Sequence, residues 1–119
     1  MTRRNKDLGD WGEEKACDFL RRHGFKIIER NYHTTFGEID VVASKGDDYY
    51  FIEVKTRTSG DFAHDDAISY FQKRKLQKAV RAYCYSRKIT DDKSLIFAGL
   101  ILEYNKMQRK LNFRFCVFC

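Results

Sequence analysis

The sequence of 119 residues contains no proline, four cysteines, three histidines and no long apolar run. Each shortage excludes something. Without proline, a Ser/Gly-rich tract or an internal repeat, the chain lacks the punctuation that separates domains, so residues 1–119 read as one domain of ordinary single-core size. No stretch approaches the roughly 18–20 apolar residues of a membrane span, and Met1–Asp10 is polar with mixed charge, unlike a signal peptide. The expectation is a soluble cytoplasmic protein with no membrane partner. Cys17, Cys84, Cys116 and Cys119 are too few for a disulfide framework and suit a reducing compartment. Cys116 and Cys119 have CxxC spacing, but their zinc-binding partners would have to be the isolated Cys17 and Cys84; four free thiols is the simpler reading. His23, His33 and His64 are isolated too, and neither a G-x-S-x-G nor a Walker A pattern occurs. The His64-Asp65-Asp66 run could lend ligands, but a polar loop explains it as well.

What the chain does have is apolar material and positive charge. Hydrophobic residues make up 43% and aromatics 15%, enough for a packed interior, and the net charge is +6. A pI near 9.2 favours a polyanionic partner. The position of the charge says more than its sum. From Ala67 to Thr90 there is no acid, while Lys73, Arg74, Lys75, Lys78, Arg81, Arg87 and Lys88 all fall there. A helix face of one sign can track phosphates, so Lys73, Arg74, Lys75, Lys78 and Arg81 are the candidate nucleic-acid contacts, with DNA favoured over RNA. Solvated lysines are the plainer alternative. Tyr70, Phe71, Tyr83 and Tyr85 could stack on bases, although Phe71 and Tyr83 read more simply as core residues.

The periodicities give the order α, β, β, β, α, β, β. A basic N-terminal arm (1–8) precedes a helix over Trp11–Arg22, with Trp11, Ala16, Phe19 and Leu20 at helical spacing and Gly24 as a stop. A short edge strand follows at Phe25–Arg30, then strands at about Gly37–Ser44 and Tyr49–Arg57, a polar loop at 58–66, and a helix over Ala67–Arg87 with Leu76, Ala79, Val80 and Tyr83 as its buried stripe. Leu95–Tyr104 and Asn112–Cys119 close the chain as strands. The fold class expected is α/β, a mixed sheet flanked by helices.

A Gly46-Asp47 turn would give the central hairpin cross-strand partners whose numbers sum to 93, setting Asp40 opposite Glu53. Strict alternation then places Glu38, Asp40 and Val42 on one face with Phe51, Glu53 and Lys55, and Ile39, Val41, Ile52 and Val54 on the other. Opposed carboxylates repel and call for compensation. A divalent cation supplies it: Mg²⁺ (or Mn²⁺) takes one or two carboxylates, here Asp40 and Glu53, and leaves room for water and phosphate oxygens. Lys55 could then position the attacking water. The alternative is the solvated face of a half-buried sheet, which mixed acids and lysines usually are. Against it, Asp40 lies within Ile-Asp-Val-Val and Glu53 within Phe-Ile-Glu-Val-Lys, where a surface strand has no need for acids.

Gly9-x-x-Gly12-Glu13-x-x-Ala16, Arg30-Asn31, Gly37-Glu38-Ile39-Asp40 and Phe51-Ile52-Glu53-Val54-Lys55-Thr56-Arg57 together resemble the YraN-like family of small bacterial proteins. That family is placed with the Holliday-junction-resolvase-like branch of the PD-(D/E)XK nuclease fold. The match runs from about residue 8 to about residue 85. The resemblance implies a restriction-endonuclease-like core (αβββαβ), with Glu13 as a helix-borne acid, Asp40 and Glu53 as metal ligands, Lys55 as the catalytic lysine and Glu38 as a supporting acid. By itself, Glu13 could equally be an acid drawn to the first turn of a helix by its dipole. The chain departs from the family pattern at Gln72, where a lysine is usual and Lys73 lies one place on. It departs again at Ile96-Phe97-Ala98-Gly99, which lacks the family's arginine and aspartate, so residues 95–119 are divergent. The main expectation is a metal-dependent endonuclease acting on DNA, branched or junction DNA included, for which a homodimer would suit two-fold substrates. A catalytically silent nucleic-acid-binding module is the alternative, and a scaffold in a repair assembly a third.

Overall fold

Two apolar helix faces and one sheet with two apolar faces account for the architecture. The computed structural model describes residues 3–58, 70–89 and 93–118, with side chains described over 9–58, 72–89 and 93–118. The elements are α1 (Arg3–Arg22), β1 (Lys26–Thr34), β2 (Gly37–Lys45), β3 (Asp48–Thr58), α2 (Tyr70–Arg87), β4 (Ser94–Asn105) and β5 (Lys110–Val117). The strands form one sheet in the order β1-β2-β3-β4-β5. Only β3 and β4 run parallel, and α2 lies in the crossover such a pair requires. The result is a mixed α/β fold compatible with a restriction-endonuclease-like core.

Each helix covers a different face. On one, α1 sets Ala16, Cys17 and Leu20 against Val41, Ala43, Ile52, Ala98, Leu100 and Leu102, and Phe19 stacks on Phe113 at 4.5 Å between ring centres. On the other, α2 sets Leu76, Ala79, Val80 and Tyr83 against Ile39, Val42 and Phe51. The stripe expected for α2 is thus the one it buries. Its C-terminal end is clamped to β1: Arg87 pairs with Glu29 and lies over the rings of Tyr32 and Tyr83, and the Tyr32 hydroxyl meets Ser86 Oγ at 2.9 Å.

The β2–β3 hairpin has the expected register, from Lys45↔Asp48 to Val41↔Ile52, every pair summing to 93. Two expectations need correction. The helix begins at Arg3, so the arm assigned to residues 1–8 is helical from that point, continuing the helical spacing past Trp11. The edge strand is longer than Phe25–Arg30, because pairing with β2 carries it on to Thr34↔Gly37. Of the residues at helical spacing in α1, Ala16 and Leu20 are buried, whereas Trp11 is 37% exposed and meets Tyr104 edge-on. The loop with His64-Asp65-Asp66, the side chains of Tyr70 and Phe71, and Cys119 lie outside the described residues. Cys17, Cys84 and Cys116 are free thiols, and Cys17 and Cys84 belong to cores on opposite faces of the sheet, which separates two members of the proposed zinc set. Among the described residues no helix is long and apolar enough to cross a membrane.

The contact of α1 with the sheet depends on Gly12. A Cβ at this position would overlap Thr56 Oγ1 and lie 3.2 Å from Thr56 Cβ, so the helix backbone approaches β3 as closely as it does only because no side chain intervenes. In an unobstructed helix Gly→Ala stabilises by about 1 kcal/mol. Here Gly12→Ala is expected to destabilise by about 1–3 kcal/mol through overpacking. The double variant Gly12→Ala/Thr56→Ala should recover most of the loss, a coupling measurable by urea denaturation of all four members of the cycle.

Candidate active site

The β2–β3 pairing ends at Val41↔Ile52, and one residue further Asp40 bridges the strands with its side chain. Its Oδ2 accepts the backbone N–H of Val54 at 2.8 Å. Asp40 is turned by a break in strand alternation. Strict alternation would put Ile39 with Val41, but Ile39 packs with Val42 and Phe51 beneath α2, whereas Val41 and Ala43 pack with Ile52 beneath α1. The face assignment made for Glu38, Asp40 and Ile39 therefore fails. Asn31, in the left-handed region with φ of 53°, lies opposite Asp40 between the pairs Arg30↔Val41 and Tyr32↔Ile39. Asparagine is among the few residues that adopt this conformation readily, and the register of β1 on β2 is the same on either side of it, its one shift falling between Ile27 and Glu29.

Through this break three acids from two elements meet. One carboxylate oxygen each from Glu13 on α1 and from Glu38 and Asp40 on β2 lie within 4.8 Å of one another. Glu13 and Asp40 are half-buried and Glu38 is exposed. Glu53 is not one of the three, yet after burial itself its charge acts most strongly on Asp40. Burial and the neighbouring carboxylates push Asp40 from its ordinary range up to about 8, against the pull of the Val54 amide. Glu13 is also raised, first by burial, although a hydrogen bond from the Asn31 side chain draws it down. Glu53 is raised by burial too, partly offset by the adjacent Lys55.

The chemistry of this donor set fits a hard divalent cation. Opposite ligands of a Mg²⁺ octahedron are about 4.2 Å apart, taking metal–oxygen distances of about 2.1 Å, and the 4.8 Å span is only slightly wider. Asp40, Glu13 and Glu38 could hold such an ion, with Glu53 close enough to influence it electrostatically. Lys55 is exposed two residues after Glu53. Glu13 lies in the interior of α1, not in its first turn, so the helix-dipole explanation for this acid falls away.

The basic residues of α2 are on its outer side. Lys73, Arg74, Lys75, Lys78 and Arg81 are exposed, while Leu76, Ala79, Val80 and Tyr83 are buried. The Cβ of Lys75 lies 4.0 Å from where a Cβ on Gly37 would sit, one residue before Glu38 in sequence. Lys73 Nζ is over the Phe118 ring at 4.8 Å, and Arg87 is engaged by Glu29. Tyr83 is a core residue and Tyr85 is 90% exposed. Asn31 was missed as a site residue by sequence reasoning. Its signal was present, an asparagine inside a strand of β-prone neighbours, but only its conformation shows what it does.

The acid cluster has a consequence for stability. Asp40 has a folded pKa above its ordinary value of 3.8, so in metal-free protein its contribution is fully present below about pH 4 and is lost as pH rises towards about 8. Asp40→Asn keeps an acceptor for the Val54 amide and removes the charge. In EDTA this variant is expected to melt above the wild type, by an increment that grows from pH 5 to pH 8. Each kcal/mol recovered is worth roughly 4 °C in a domain of this size. Thermal melting across that pH range checks it, and a flat or negative increment would contradict the burial argument.

The chain matches the family described as "Uncharacterised protein family UPF0102" over residues 12–118. A UPF0102 protein of Syntrophomonas wolfei is 46% identical over 83 residues, covering 69% of this chain and 72% of the relative. One from Geobacter metallireducens is 41% identical, covering 76% and 75%, and one from Alkaliphilus oremlandii is 34% identical, covering 91% and 94%. Among solved structures, an XisH family protein from Nostoc punctiforme PCC 73102 aligns with a TM-score of 0.40 at 14% identity, over 88% of this chain and 98% of that one. The family match spans α1 from Gly12 onward and every strand, including the divergent end beyond residue 95, and on that basis the chain belongs to the UPF0102 family.

Proposed function

We propose that this protein is a divalent-metal-dependent endonuclease of the PD-(D/E)XK type that hydrolyses phosphodiester bonds in DNA, branched or junction DNA among them. The observation that carries the proposal is the convergence of Glu13, Glu38 and Asp40 within 4.8 Å, with Glu53 and Lys55 beside them. Surface acids repel and spread; acids gathered at a strand break, at a cost in pKa, answer to a cation. A bound Mg²⁺ or Mn²⁺ would lower the pKa of a coordinated water and offset charge on the phosphate. Asp40, held by the Val54 amide, is the fixed ligand of the set. In this reading Lys55, whose charge acts on Glu53, orients a water and stabilises negative charge developing on the phosphoryl oxygens. In the hydrolysis the water oxygen bonds to phosphorus, the ester oxygen departs, and the proton lost by water ends on the leaving group or solvent.

The basic side of α2 supports DNA as the substrate. Lys75 and Lys78 are exposed on a helix without acids, and Lys75 packs by its Cβ near Gly37 at the start of β2. Such residues bind phosphates without reading sequence, which matches a site that selects structure.

Cleavage of labelled single-stranded, duplex, flap and four-way-junction DNA with Mg²⁺ or Mn²⁺ tests the proposal. Wild type is expected to cut at least one of these, Asp40→Ala and Glu53→Ala to abolish cutting, and Lys55→Ala to slow it by about 10²–10³-fold. Cleavage that survives Asp40→Ala would overturn the assignment. DNA bound equally by all variants and cut by none would instead make the protein a nucleic-acid-binding module. Separately, Lys75→Ala and Lys78→Ala should each lower the slope of log K against log salt by about one, measured by fluorescence anisotropy.

A further inference from the structure

The connection between β1 and β2 is a two-residue tip, Thr35-Phe36, closed by the pair Thr34↔Gly37. It is tied from within. Thr34 Oγ1 donates to the Gly37 carbonyl at 2.7 Å and accepts the Phe36 amide N–H at 3.1 Å. Gly37 completes the reversal with φ of 136°, a conformation that a side chain would strain. The tip is therefore a rigid mount, and what it presents is Phe36, 50% exposed.

A single exposed aromatic is ordinary on a protein surface. Phe36 is set apart by its mount and its address. It stands two residues from Glu38 and four from Asp40, a run of roughly 13 Å at about 3.3 Å per residue. Next to it, at Gly37, α2 brings in Lys75. An exposed aromatic on the hairpin tip thus begins the strand that carries Glu38 and Asp40 into the acid cluster.

We propose that Phe36 is a stacking platform for an unpaired nucleobase a few nucleotides from the phosphate presented to the acid cluster, and that it makes the site selective for DNA with an unstacked base over continuous duplex. The inference rests on the nuclease reading for its substrate class and goes beyond it in naming a specificity-determining residue. Stacking on an aromatic ring tolerates any base, because every base has a π face. A base inside a duplex can offer that face only after it has been unstacked, whereas one in a single strand, a flap or the branch of a junction offers it freely. The rigid tip matters here, since a platform already held in place loses little freedom on binding.

The test is binding of fluorescein-labelled oligo-dT and of a duplex of equal length, measured by anisotropy in EDTA so that hydrolysis cannot intervene. The proteins are wild type, Phe36→Ala, Phe36→Leu and Phe36→Trp, each checked by thermal melting. Phe36→Ala is expected to weaken single-strand binding by about tenfold and duplex binding by less than about twofold. Phe36→Trp should restore the single-strand affinity, and Phe36→Leu should not. Wild-type protein that binds DNA and a Phe36→Ala variant that binds single strands equally well would overturn the platform alone. Equal weakening on both substrates would also overturn it, since that is the mark of a structural role. Wild-type protein that binds neither DNA would remove the platform together with the nuclease reading.

Discussion

The acidic edge depends on the hydrogen bond from the Val54 amide to Asp40. Past Val41↔Ile52 the two strands no longer pair, and a backbone donor left there without an acceptor would be costly. Asp40 meets the need with its side chain, and in doing so its carboxylate becomes fixed in space. A charge-assisted bond of this kind favours the ionised acid. Burial and the carboxylates of Glu53, Glu13 and Glu38 act in the opposite direction and prevail. The rest of the site is arranged around that fixed, reluctant charge. Gly12 lets α1 come close enough to bring Glu13 in, and the turn of the β1–β2 hairpin starts the strand that carries Glu38.

Much of this could be read from residues alone. The hairpin register followed from the Gly46-Asp47 turn, and the buried stripe of α2 followed from Leu76, Ala79, Val80 and Tyr83, because both rest on local periodicity and local turn chemistry. The edge position of β1 was legible for the same reason. What could not be read was the break at Asp40. Alternation is a rule for uninterrupted strands, and the interruption lies opposite Asn31, whose left-handed φ is invisible in a string of letters. The place of Glu13 within α1 was hidden in a similar way. With the helix thought to start at Trp11, Glu13 lay in a first turn; with the start at Arg3, it lies well inside, and its orientation toward the sheet is set by the approach at Gly12.

The two faces of the sheet divide the work. Beneath α1 the core is continuous across β2, β3 and β4, and the approach at Gly12 fixes the helix-borne acid against it. Beneath α2 the core is centred on Phe51 and Tyr83, and the helix is secured at its far end by Arg87 on Glu29. That ion pair removes one cation from the exposed basic set but holds the remaining lysines in a defined line. A basic helix that could roll on the sheet would still attract phosphate; one anchored through Tyr83 and Arg87 presents Lys75 at a constant place, beside Gly37.

The charges around the cluster are uneven in a telling way. Each acid with a raised pKa has compensating neighbours: the Val54 amide for Asp40, Asn31 and Arg30 for Glu13, Lys55 for Glu53. In all three cases burial outweighs them. Burial and mutual repulsion thus disfavour the full negative charge of the cluster, which an added positive charge would relieve. A proton can do so at low pH, and a divalent cation can do so at higher pH without neutralising the oxygens that would bind it. Under the metal-dependent reading, proton and cation would compete for the same carboxylates, and the balance would turn in the pH range where Asp40 titrates. Surface acids with ordinary pKa values would show that competition only near about pH 4. The burial that makes the cluster costly to fold is therefore also what makes its charge state responsive to a metal ion.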